Sequence, residues 1–188
     1  MPFSVFNGAG TQAMHGAVVP IATATPSSAS VTFSNIPQGY QDLFIVINGR
    51  STKSGSTDVL DIQLNGDGGS GALYSHTRLY GDGSSASSAR GSNNGAYYTD
   101  YYFVGNTATS GIFNSTEIHI LNYANTSTYK TMLVRAADDQ NGSGATTLSV
   151  GLWRNTNAIS SIFLFPDNSS AFVAGTRISI YGVRTVNQ

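Results

Sequence analysis

The chain contains no cysteine. That absence excludes a disulfide-stapled scaffold, a thiolate metal site and a cysteine nucleophile. It does not identify the compartment, because a chain without thiols is compatible with either redox environment. At 188 residues, the chain is long enough to bury a core without metals or disulfides.

Charged residues are also scarce, at 10% of the chain, against about 25% in typical soluble proteins. Nine Lys and Arg oppose ten Asp and Glu, for a formal net charge of −1, and the basic residues are scattered singly. Binding to nucleic acid needs clustered basic side chains, so no nucleic-acid partner is expected. The low charge also suggests that copies or partners cover much of the surface.

No run of about 18 apolar residues is present, so no membrane span is predicted. The first residues lack a basic stretch followed by an apolar run, as a signal peptide would have. We expect synthesis in the cytoplasm without export.

Glutamate occurs once and lysine twice, and no segment reads as an amphipathic helix. Short apolar runs instead alternate with polar residues, as in strands with one buried face. Leu148, Val150 and Leu152 are predicted to be the buried residues of one such strand, whereas the continuous run at 42–48 predicts a strand covered on both sides. About ten strands punctuated by turn residues predict an all-β fold, an antiparallel two-sheet sandwich, with a jelly roll as the preferred topology.

The sandwich is predicted over residues 29–188, preceded by an extended N-terminal arm over residues 1–28. The arm is rich in small residues and cannot form its own core. It could be a disordered tail or fold against its own domain, but the preferred interpretation is an arm that docks on a neighbouring subunit. Its candidate contact residues are Phe3, Phe6, Val18, Val19 and Ile21.

Aromatic residues are concentrated in one segment, which holds five within seven positions. Tyrosine combines a large contact area with a polar tip and is enriched at interfaces. A contact role and simple strand packing are both open for this segment, whose residues are Tyr97, Tyr98, Tyr101, Tyr102 and Phe103.

The sequence contains only weak matches to motifs for cofactor binding, metal binding or catalysis. The glycines at 66–71 match G-x-G-x-x-G, but a strand-like run follows where a dinucleotide site requires a helix. Asn65 and Asp67 have a spacing that calcium loops use, without the glutamate that closes an EF-hand. The three histidines are isolated, and most carboxylates lie in turns. No enzyme activity, catalytic residue, metal or cofactor is predicted.

Several phrases of the chain resemble a loosely defined group of small virion proteins from tailed bacteriophages, especially phages of aquatic bacteria. The similarity spans about residues 31–183 and rests on turn and strand phrases: NIPQGYQDL at 35–43, LNGD at 64–67, YSHTRLYG at 74–81, GLWR at 151–154 and AGTRISIYGV at 174–183. It implies a structural protein located in the virion, and no catalytic site.

Within that group, a β domain with an N-terminal arm suits a capsid decoration (cement) protein. Such a protein is expected to be a homotrimer that binds the major capsid protein and stabilises the assembled head. The alternative is a tail fibre or receptor-binding module, in which the tyrosines contact a host-surface glycan. A β-sandwich enzyme acting on carbohydrate is the third and weakest hypothesis.

Overall fold

The computed structural model describes residues 18–167 and 169–184, without the side chains of Ser70 and Asp100. These residues form twelve β-strands and one 3-10 turn, Gly69–Gly71. The strands are β1 Val18–Ala24, β2 Val31–Ser34, β3 Asp42–Gly49, β4 Thr57–Leu64, β5 Tyr74–Gly81, β6 Ala86–Asn94, β7 Tyr97–Val104, β8 Asn114–Ile120, β9 Lys130–Asp139, β10 Gly144–Trp153, β11 Ser161–Pro166 and β12 Arg177–Val183. The all-β prediction is confirmed.

The strands form two antiparallel sheets that pack as a sandwich. One sheet has eight strands in the order β1-β12-β3-β8-β9-β10-β5-β6, and the other has four in the order β2-β11-β4-β7. The jelly-roll topology is not confirmed. A jelly roll has eight strands arranged as two Greek keys, whereas the two sheets here contain eight and four strands. Among the described residues, no helix has the length and apolar character to cross a membrane.

The core lies between the inner faces of the two sheets. Side chains of a strand alternate between its faces, and the larger sheet contributes Leu43, Ile45 and Ile47 from its central strand β3. The smaller sheet contributes Leu60, Ile62 and Leu64 from β4, as the alternation predicts. All six side chains are fully buried, so both strands contribute to the core between the sheets.

The predicted boundary at residue 28 needs correction. Val18, Val19 and Ile21 belong to β1, which pairs with β12 at the edge of the larger sheet from Val18↔Val183 to Ala24↔Ile178. Pairing with β12 satisfies the backbone of this stretch, so it is part of the sandwich and not a separate arm. Phe3 and Phe6 lie outside the described residues.

Candidate functional site

Two parallel rows of side chains cross the outer face of the larger sheet, the face that points away from the core. Register aligns the first row as Phe44, His119, Leu133, Val150 and Thr77. The second row lies beside the first, offset by two residues on each strand, and consists of Val46, Glu117, Arg135, Leu148 and Leu79. Both rows cross the same five neighbouring strands, β3, β8, β9, β10 and β5.

Four aliphatic side chains in these rows are strongly exposed. The exposed fractions are 57% for Leu148, 56% for Leu79, 43% for Leu133 and 40% for Val150. Single exposed apolar residues are common on proteins, whereas contiguous apolar patches are a feature of binding surfaces. Because register places these four side chains next to one another across three strands, they form one patch.

The patch lines a groove of about 660 Å³. Phe44 lines it from the β3 side and Ser88 from β6, so the groove runs across the strands rather than along them. A smaller hollow of about 410 Å³ adjoins it and shares Thr77 and Val150 with it. The second hollow is more polar, with Ser75, Arg90 and Ser92 in its lining.

Charge in the groove is internally paired. The Arg135 guanidinium donates a hydrogen bond to the Glu117 carboxylate, and the two residues are also cross-strand partners. His119 Nε2 lies 3.1 Å from Asp42 Oδ2 at the end of the groove near β3. Arg78 also belongs to the lining, but its guanidinium lies against the Tyr101 ring. The groove therefore favours an apolar occupant over an ionic one.

No protein-family model, curated protein or solved structure matches the chain.

For β10, the prediction of which face is buried is wrong. Ser149 and Trp153 point into the sandwich and are buried, and Gly151 lies on the same inner face, whereas Leu148 and Val150 point outward. The inner position at residue 151 must be glycine because Tyr97 packs against it, and a Cβ there would lie 2.6 Å from the Tyr97 ring. A one-residue offset moves every side chain of a strand to the other face, and this offset exposes the leucine and valine.

Two members of the predicted aromatic segment cannot contact a partner. Tyr97 and Phe103 are fully buried, and the Tyr97 hydroxyl lies 2.8 Å from Ser149 Oγ in the core. Of the two roles left open for the segment, these two residues have the packing role, because both point between the sheets and belong to the core cluster.

The other three tyrosines are half-buried at the flank of the sandwich. The Arg78 guanidinium lies 3.1 Å from the centre of the Tyr101 ring, and the Tyr102 and Tyr80 rings are 5.4 Å apart. Tyr98 meets Tyr101 edge to face at 5.5 Å. The contacts of Tyr101 and Tyr102 join β7 to β5, so part of the aromatic surface holds the two sheets together.

The loop considered for a cation is a structural turn. Asn65 and Gly66 have positive φ angles of 54° and 73°, and Asp67 N donates to Leu64 O at 2.9 Å. Asp67 Oδ2 accepts hydrogen bonds from Trp153 Nε1 and Asn155 Nδ2, at 3.0 and 2.8 Å. Asn65 Oδ1 accepts from the backbone of Ser160, at 2.8 Å. These side-chain oxygens already bind protein donors.

The glycine motif at 66–71 continues into the three-residue 3-10 turn and then into β5, with no α-helix to receive a phosphate. In the described part of the chain, no group of three or more histidine or acidic side chains has an arrangement that could hold a metal ion.

The outer-face groove is thus the functional candidate that sequence reasoning missed. One signal was present: Leu43 to Ile47 is apolar at every position, and so is Met132 to Val134. A strand that is apolar on both faces predicts a cover on both sides. Within the described residues, the outer side of β3 is only half-covered at Phe44 and Val46.

Proposed function

We propose that this chain is a non-enzymatic structural protein that docks, through the outer-face groove of its larger sheet, on another protein of a large assembly. The observation that carries the proposal is the patch of Leu79, Leu133, Leu148 and Val150, exposed by 40–57%. Full burial of one such side chain stabilises by about 1.5–3 kcal/mol relative to exposure. The patch therefore offers a few kcal/mol per copy, which a lattice of many copies multiplies.

The chemistry of the patch supports a protein partner. Its members are aliphatic, and the aromatic rings in the groove's lining are Phe44 and His119, which contact each other edge to face. Sugar recognition relies on aromatic side chains that stack on the ring and on polar groups that bond its hydroxyls. An aliphatic groove with its one ion pair closed on itself fits an apolar protein surface better than a glycan or a polyanion.

The specific assembly we propose is a bacteriophage head, with the chain as a capsid decoration protein in the virion. Resemblance to small virion proteins of tailed phages supports this choice, and so does the low charge of the chain. Binding only to the assembled lattice would stabilise that lattice by mass action. We propose a homotrimer as the oligomeric state and the major capsid protein as the partner.

The test is a pelleting assay with undecorated heads and, separately, with host cells. Saturable binding to heads and a higher head-disruption temperature are expected, and Leu148→Lys should weaken binding at least tenfold because it places a charge in the groove. Thr32→Lys is the matched control, since Thr32 is exposed on β2 of the other sheet. Head binding that survives Leu148→Lys would overturn the proposed surface.

A receptor-binding role through Tyr98, Tyr101 and Tyr102 is the alternative outcome of the same assay. Binding to host cells alone, lost on Tyr98→Ala and unaffected by Leu148→Lys, would replace the head-binding proposal.

A further inference from the structure

The two sheets end at four edge strands, which differ in how well the edge is protected. An unpaired strand edge offers free N–H and C=O groups to another chain, and natural proteins guard such edges with short strands, proline, bulges or charge. β1 carries Pro20 and a register shift beside it, β2 has four residues, and β7 pairs with β4 through two register shifts. β6 is the longest of the four at nine residues, with no proline and one charged residue, Arg90. It is therefore the least protected edge of the described sandwich.

The hairpin that joins β5 to β6 identifies which backbone groups of β6 face away from the sheet. Asp82 N donates to Ser85 O at 3.2 Å, so these two residues form a hydrogen-bonded pair beside the turn. Hydrogen-bonded and non-hydrogen-bonded pairs alternate along an antiparallel ladder, and the β5–β6 register is unbroken over residues 86–91. Every second residue of β6 therefore points its N–H and C=O groups outward: Ala86, Ser88 and Arg90.

A second copy of β6 can satisfy all of these backbone groups in one antiparallel register. If Ser88 lies opposite Ser88 of the other copy, Ala86 of each chain lies opposite Arg90 of the other. The three residues of each strand then form about six backbone hydrogen bonds with the other copy. A register centred on Arg90 would put two arginines directly opposite each other, which is destabilising. The pairing centred on Ser88 avoids that repulsion.

The side chains of β6 suit a strand of the same kind. Six of its nine residues, ASSARGSNN, are Ala, Ser or Gly, and none of the nine is buried. The main contacts of β6 are with β5 and the 3-10 turn, and not with the smaller sheet. The sheet thus extends past its cover at this side, where a second sandwich can approach with few large side chains between the two chains.

The same register also continues the apolar surface of the outer face. Ser88 pairs with Leu79, so it is the next member of the second row, and it lines the groove. When Ser88 faces its copy, the row that holds Leu148 and Leu79 runs directly into the same row of the second chain. This continuity with the groove favours a second copy over an unrelated strand as the occupant of the edge.

We infer that β6 is a self-association edge, at which two copies of this chain pair antiparallel about a twofold axis at Ser88 and form one continuous sheet. Such a contact is isologous, because the same edge serves both copies. It differs from the threefold contact of the proposed homotrimer and would join a subunit of one trimer to a subunit of the next. If the proposed docking function holds, the two apolar patches lie on one face and form a double docking surface.

Disulfide crosslinking tests the edge and its register, because the natural chain has no cysteine to interfere. Under mild oxidation Ser88→Cys should give a covalent dimer on non-reducing electrophoresis, since α-carbons of a hydrogen-bonded antiparallel pair lie about 5.5 Å apart, within the disulfide range of about 4.4–6.8 Å. Thr32→Cys is the matched control, exposed on β2. No crosslink at Ser88→Cys, or equal crosslinking of the two variants, would overturn the inference.

Two further variants check the register. Arg90→Cys alone should crosslink poorly, because Arg90 lies opposite Ala86 and away from the other copy's Arg90. An equal mixture of Arg90→Cys and Ala86→Cys should crosslink well. Efficient crosslinking by Arg90→Cys alone, with none in the mixture beyond it, would overturn the pairing centred on Ser88.

Sedimentation equilibrium gives a second readout on the full chain. Ser88→Lys should halve the mass of the natural particle, because two lysines would then lie directly opposite each other. Thr32→Lys should leave the mass unchanged, and circular dichroism melting shows whether both variants fold. A particle mass unaffected by Ser88→Lys would contradict self-association, and this includes the case in which β6 pairs with a strand of another protein.

The self-association and the docking function fail separately. Crosslinking and sedimentation use the purified protein alone, so their outcome does not depend on any head. Head binding without a Ser88→Cys crosslink would refute the self-association edge and leave the docking function standing. A crosslink without head binding would refute the docking function alone.

Discussion

Asp61 is a buried carboxyl that links the stability of the protein to pH. It lies on β4 between Phe165 and Tyr98, it is almost fully buried, and its Oδ1 atom has no hydrogen-bond partner. Burial, together with the negative charges of Asp167 and Asp58, raises the pKa of Asp61 to about 8. Near neutral pH this carboxyl is therefore protonated in the folded protein and ionised in the unfolded chain.

The raised pKa of Asp61 predicts a stability that falls with rising pH. Below about pH 4 the carboxyl binds its proton in both states, and between about pH 4 and pH 8 only the folded state holds it, so unfolding releases a proton. The free energy of unfolding should fall by at most about 1.4 kcal/mol per pH unit in this interval and level off above pH 8. Asp61→Asn should remove the fall and be the more stable protein at pH 8.

The measurement is urea unfolding of the natural protein and of Asp61→Asn from pH 4 to pH 9. The quantity to compare is the difference between their free energies of unfolding at each pH. His76 acts in the opposite direction, because burial and Arg78 lower its pKa, and the difference cancels that contribution. Parallel curves for the two proteins would show that Asp61 is not the group responsible.

At the scale of the element, β10 shows how one contact decides which face a strand buries. Its sequence alternates convincingly, with Leu148, Val150 and Leu152 on one side and Ser149 and Gly151 on the other. Hydrophobicity alone favours burial of the first set. The structure buries the second, because Tyr97 of β7 fills the space over Gly151 and pairs its hydroxyl with Ser149.

Gly151→Ala should therefore destabilise the protein by about 1–3 kcal/mol, the usual cost of overpacking a core. The added methyl would lie 2.6 Å from the Tyr97 ring, which is fully buried. Thermal unfolding is the measurement. Gly39→Ala is the matched control, since no atom lies within 4 Å of the position of its Cβ. Equal melting temperatures for the two variants would rule out the packing argument.

The buried side of a strand was predicted correctly where apolar and polar residues alternate and the apolar side faces the core. The buried sides of β4 and β8 follow directly from alternation. β6 went unrecognised because its residues, Ala86 to Asn94, are small and polar and pack little. It forms a strand because β5 supplies backbone partners along its length.

At the scale of the whole molecule, the limits of the sandwich depend on β1. The larger sheet ends with β1 on β12, and Thr23 Oγ1 lies 3.0 Å from Ser179 Oγ across that pair. Phe172 N also donates to Ser28 O at 2.9 Å. Residues 18–28 therefore complete the sheet edge and one of its loops.

Two truncations should separate these contributions. Removal of residues 1–17 should leave the melting temperature within a few degrees of the full chain, whereas removal of residues 1–28 exposes the β12 edge and should lower it by about 10 °C or more, at about 2–4 °C per kcal/mol lost for a chain of this size. Circular dichroism melting is the measurement. Similar melting temperatures for the two truncations would mean that β1 adds little to the sheet.

By itself, the sequence determined the all-β class and the two-sheet sandwich, because period-two alternation and turn residues such as Asn141-Gly142 act locally. The tertiary structure decided the strand order, the membership of β1 and the face that β10 exposes. Each of these depends on contacts between residues far apart in the chain: β12 beside β1, and Tyr97 over Gly151. The apolar groove on the outer face arises from the same long-range packing, because it forms only when five strands align their rows.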